Sequence, residues 1–96
     1  MKRVVLSNDN YEMFIEMHEG CWFFHVDVYK WTPEVKKSYL EDIEKVHQVF
    51  QPLFAIPEDT GDKMEKFGKV TGFKVIGHHT CVDGVERKVF QYKGVK

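Results

Sequence analysis

One amphipathic helix set between two strand-like runs constrains this chain more than any other feature. Thr32, Pro33 and Glu34 agree as a helix start. Threonine caps, proline at the first helical position gives up no needed N–H, and glutamate suits the positive end of the helix dipole. Val35, Tyr39, Leu40, Ile43, Val46, His47 and Phe50 recur at helical spacing, with Lys36, Lys37, Glu41, Glu44, Lys45 and Gln48 on the opposite side. Pro52 closes the segment, so the spacing predicts a helix over 33–50. A full helix between 21–31 and 53–56 sets those two runs parallel, because parallel neighbours need a long crossover.

The flanking segments read as strands. Arg3 to Leu6 is a short apolar run, and Ser7 to Asn10 is a cluster of turn formers. Tyr11, Met13, Ile15 and Met17 alternate with Glu12, Glu16 and His18, the pattern of a half-buried strand. Glu19-Gly20 offers a tight turn into 21–31. That run has an apolar face of Trp22, Phe24, Val26 and Val28 and a mixed face of Cys21, Phe23, His25, Asp27 and Tyr29, which suits a central strand. Beyond the helix, 53–56 predicts a buried strand, 58–61 a loop, and 62–70 a short helix with Met64, Phe67 and Val70 inward and Gly72 at its end. Strands over 73–80 and 85–92 follow, joined by an Asp83-Gly84 hairpin, with a frayed tail over 93–96. The order β-β-β-α-β-α-β-β makes one α+β domain over 1–96, with a single mixed sheet.

Composition excludes several classes. Ninety-six residues suffice for one core and not for two. The formal charge of −1 gives no electrostatic case for nucleic acid, although 1–51 is net acidic and 52–96 net basic. No run reaches the roughly 18 apolar residues of a membrane helix, and Val4-Val5-Leu6 after Lys2-Arg3 is too short for a secretory signal. Cys21 and Cys81 form neither a disulfide framework nor a Cys-x-x-Cys pair, which points to a reducing, cytoplasmic setting.

Two stretches carry a family resemblance. The run Phe54-Ala55-Ile56-Pro57, a short helix, and Gly72-Phe73 before a strand is similar to a passage of the GNAT superfamily of acyl-CoA N-acyltransferases. The run Phe24-His25-Val26-Asp27-Val28-Tyr29-Lys30-Trp31-Thr32-Pro33 resembles small GNAT-like proteins of tailed phages, where a strand leads through Trp-Ser/Thr-Pro into the long helix. The resemblance spans Val4 to Tyr92 and implies the C-terminal part of the GNAT fold, in a phage setting the host cytoplasm or the virion.

The departures define the functional expectation. Active members hold the diphosphate of acyl-CoA on a Gly-rich loop at the start of the long helix, where small residues expose several N–H groups. The matching stretch, 30–36, has no glycine, loses an N–H at Pro33 and sets Glu34 where the phosphates would sit. The tyrosine acid that members often carry falls here on Gly68, beside Phe67. The two helices that usually follow the first strand are replaced by Ser7 to Asn10, leaving part of the sheet without a cover. The resemblance therefore implies a protein without acyl-CoA machinery, with no catalytic residue and no cofactor. It would act on a protein partner or as a homodimer, as inhibitor, adaptor or virion component, through the Trp22/Phe24/Val26/Val28 face or the Tyr11/Met13/Ile15/Met17 face. The alternative is an N-acyltransferase holding acetyl-CoA in the gap between 21–31 and 53–56 with Lys36 and Lys37.

Other polar residues admit two readings each. His25, Asp27 and Tyr29 share a strand face. They form a site with His25 as a base oriented by Asp27, or a hydrogen-bonded row at a splayed opening or interface; an i, i+2 spacing of about 7 Å is long for a direct His–Asp bond and favours the row. Trp31 at the strand-to-helix turn packs in the core or marks an entry for a partner. His79 and Cys81 share a face but lack the further ligands of a zinc site, so no metal is expected.

Overall fold

The computed structural model describes residues 2–57 and 62–94. Eight elements follow in chain order: β1 (Lys2–Ser7), β2 (Tyr11–His18), β3 (Cys21–Val28), α1 (Pro33–Val49), β4 (Leu53–Ala55), α2 (Asp62–Val70), β5 (Phe73–Thr80) and β6 (Glu86–Tyr92). The fold is α+β, with one mixed six-stranded sheet in the order β1-β2-β3-β4-β6-β5. Every neighbouring pair is antiparallel except β3 and β4, which α1 joins in parallel. The loop expected at 58–61 lies outside the described residues.

Local chemistry sets the boundaries. Thr32 is extended, and its Oγ1 accepts from Val35 N at 3.1 Å, with Pro33 directly after it. In the β5–β6 hairpin, Gly84 takes φ +82° and Asp83 Oδ1 accepts from Val85 N. Gly72, after α2, has φ +102°, a conformation that favours glycine. Its carbonyl accepts from Lys93 N at 2.7 Å and Gly94 N at 3.1 Å, so the expected fraying does not begin at 93.

The core is one-sided. Strand register places Tyr11, Met13, Ile15, Phe24, Leu53, Phe73, Phe90 and Tyr92 on a single face, and all are buried. Val35, Tyr39, Ile43 and Val46 of α1 fill that side. Both helices lie there: Tyr11 Oη donates to Asp42 Oδ2 of α1 (2.6 Å), His47 of α1 stacks near Tyr92, and Glu65 of α2 pairs with Lys88. Phe67 of α2 meets Tyr39 of α1 edge-on. Met17 and Val70, expected inward, are half exposed because each sits at the end of its element, beyond the packed layer.

Candidate functional site

Two features stand apart from ordinary packing. The first is a break in the sheet. β3 and β4 pair only at Trp22↔Leu53 and Phe23↔Phe54. From Phe24 onward β3 stays paired with β2, but its other edge opens on a cavity of about 390 Å³ between β3, β4 and α2. Phe24, Phe67, Phe73 and Phe90 supply apolar walls, and His25 and Asp27 lie at the rim.

Tyr39 is the unusual wall residue. It is wholly buried, and its hydroxyl makes no hydrogen bond among the described residues. Trp31, Phe67 and Tyr11 meet its ring edge-on at 5.2–5.7 Å and hold it in place. Burial raises its pKa well above the ordinary phenol value, with the Tyr11 and Tyr92 hydroxyls adding to the shift, so it stays protonated. Neighbouring hydroxyls are satisfied: Tyr11 Oη meets Ser38 Oγ at 2.8 Å and donates to Asp42, and buried Thr71 Oγ1 donates to Phe67 O at 2.8 Å.

The second feature is the face of the sheet away from the helices. It presents Val4, Phe14, Phe23, Phe54, Val89 and Ile76, one from each strand, with Ile76 in the β5 bulge. None is buried, and Val4 and Ile76 are 52% and 50% exposed. No described helix covers this side. The uncovered face is therefore neither of those expected: Trp22, Phe24, Val26 and Val28 share the α1 side with Tyr11, Met13 and Ile15. The surface that no described helix covers is the opposite one.

The expected polar residues separate between these features. His25 Nε2 meets Glu16 Oε1 at 3.1 Å across the β2–β3 pair, not Asp27. Burial pushes the Glu16 carboxyl upward, but the His25 hydrogen bond and charge outweigh it and hold it below its usual value. Tyr29 lies past the end of β3, where its hydroxyl donates to Glu12 Oε1 at 3.4 Å. Trp31 caps the Tyr39–Phe67 aromatic cluster from outside and is 39% exposed. Lys36 and Lys37 sit on α1 and do not line the cavity. His78 and His79 point to opposite faces, opposite Lys88 and Arg87, and no three His, Cys, Asp or Glu among the described residues are grouped to hold a metal ion.

The start of α1 uses its own donors. Pro33 has no N–H, Val35 N goes to Thr32 Oγ1, and Lys36 N goes to Thr32 O at 2.8 Å. What is left is the N–H of Glu34, on a residue that carries a carboxylate. At Gly68, an added Cβ would sit 3.2 Å from the Phe90 ring, so a larger residue there would crowd the cavity wall.

Sequence reasoning took Tyr39 as a core position and missed its hydroxyl. The available signal was the choice of tyrosine over phenylalanine on an inward helix face, since a buried phenol normally has a partner. No protein-family model, curated protein or solved structure matches this chain.

Proposed function

We propose that this chain is a small GNAT-like domain without acyl-CoA machinery that works by binding another protein through its helix-free sheet face. The observation that carries the reading is the one-sided core. Every buried strand residue is on the helix side, while an apolar stripe crosses the other side from edge to edge. Stripes of this extent on a small protein mark interaction surfaces. The element order and the parallel β3–α1–β4 unit support the GNAT comparison. The capped start of α1 supports the loss of diphosphate binding, because Val35 N and Lys36 N are engaged by Thr32 and the one amide left over, that of Glu34, sits on a residue that carries a carboxylate.

The experiment is site-specific photo-crosslinking in the native cell. A photoreactive residue at Phe54 is expected to capture one discrete protein, and the same residue at Glu41 on the outer face of α1 to capture none. Capture from Glu41 alone would overturn the reading.

A second reading is favoured by the cavity. An N-acyltransferase would place the acyl end of acetyl-CoA in the β3–β4 gap, and the Tyr39 hydroxyl would supply the acid absent from residues 67 and 68. Millimolar acetyl-CoA would then raise the melting temperature by linkage. The protein-binding reading expects no rise.

A further inference from the structure

We propose that the occupant of the helix-free face is a second copy of this chain, stacked sheet on sheet about a two-fold axis that runs parallel to the strands between β3 and β4. The inference rests on reading that face as a protein-binding surface, and it names the partner.

Symmetry makes the first case. An isologous contact requires one patch to be complementary to itself. The stripe places one apolar residue on each of the six strands. A two-fold axis through its middle lays β4 over β3, β6 over β2 and β5 over β1, so apolar meets apolar along the whole stripe.

Charge selects the axis. On this face the β1–β3 half carries Lys2 with Glu12, Glu16 and Asp27. The β4–β6–β5 half carries Lys74 and Arg87, the latter forked onto Asp83 of the hairpin. An axis parallel to the strands keeps each residue at its level along the strand, so Arg87 of β6 faces Glu12 on β2 of the other copy, and the one like-charge meeting, Lys74 with Lys2, lies at the outer strands. An axis across the strands would set carboxylates against carboxylates, which costs affinity. Area agrees as well. Six strands about 4.8 Å apart and some six residues long at about 3.3 Å each present on the order of 600 Å². Side-chain relief brings that near the roughly 800 Å² per partner of a standard interface. Two such sheets stack about 10 Å apart.

Sedimentation equilibrium from low micromolar to millimolar protein tests this. The expected result is a monomer–dimer equilibrium with no higher species. Phe23→Glu and Phe54→Glu, at the centre of the stripe, should each abolish the dimer while circular dichroism stays native. Glu12→Arg and Arg87→Glu, which face each other about this axis, should each weaken association about tenfold, and the double reversal should restore most of it. A wild-type chain that stays monomeric throughout overturns the proposal, as does a dimer that Phe23→Glu and Phe54→Glu leave intact. A monomeric chain that still crosslinks to a different protein from Phe54 removes the second copy and leaves the protein-binding reading standing. A monomer with no crosslink removes both.

Discussion

Removing one oxygen atom from Tyr39 should stabilise this protein. The Tyr39 ring is clamped by Tyr11, Trp31 and Phe67, and its hydroxyl is buried without a hydrogen bond among the described residues. A buried, unsatisfied hydroxyl costs about 1–3 kcal/mol. Tyr39→Phe keeps the ring and deletes that cost, so a gain of about 1 kcal/mol is expected after allowing for lost packing. For a domain of this size that corresponds to a rise of roughly 4–8 °C in melting temperature. Tyr11→Phe is the matched control. Its hydroxyl meets Ser38 at 2.8 Å and donates to Asp42 at 2.6 Å. Hydrogen bonds to charged groups contribute about 1.5–3 kcal/mol, so the same chemical change should destabilise by that order. Urea and thermal unfolding of the two variants read both signs. A fall in stability for Tyr39→Phe would refute the reasoning, because it would mean that the hydroxyl already has a partner in the free protein.

Three further outcomes follow from particular contacts. Thr32→Ala removes the acceptor for Val35 N and should cost about 0.5–2 kcal/mol in urea unfolding. Gly72→Ala places a Cβ 2.8 Å from the Tyr92 ring at φ +102° and should cost roughly 2–4 kcal/mol by the same assay. Glu65 is hydrogen-bonded by Lys69 and Lys88, which hold its pKa down at about 2 from the usual 4.5. Its contribution is thus complete above about pH 4.5 and is lost as pH falls toward 2. Glu65→Gln should flatten that part of an acid-unfolding profile and leave the profile near neutrality unchanged in shape.

Local chemistry was legible in the sequence, and the assignment of layers was not. Thr32-Pro33-Glu34 and Asp83-Gly84 act through their own neighbours, so α1 and the last hairpin appear where those residues place them. The parallel β3–β4 pair also follows, because a whole helix intervenes. Alternation within β2 and β3 shows that one face of each strand is buried, but not whether a helix or another protein does the burying. Trp22, Phe24 and Val26 therefore looked like candidates for an open face, and α1 covers them. Phe14 alternates on its strand face with Glu12 and Glu16, Phe23 with Cys21 and His25, and Phe54 lies inside an apolar run, so nothing in the sequence sets the three apart until register places them on one surface. The β3–β4 gap was equally hidden, since nothing within 21–28 states that pairing stops after Phe23. Tyr39 occupies an inward helical position in sequence, and only the assembled aromatic cluster leaves its hydroxyl unpaired.

The one-sided core is tested most directly by aromatic proton relaxation in the presence of a soluble paramagnetic chelate, measured at several protein concentrations. In dilute solution the rings of Phe14, Phe23 and Phe54 should relax strongly while those of Phe24, Phe73 and Phe90 stay protected, and raising the concentration should protect only the first set. Equal protection of both sets in the dilute monomer, or strong relaxation at Phe24 or Phe90, would contradict the account.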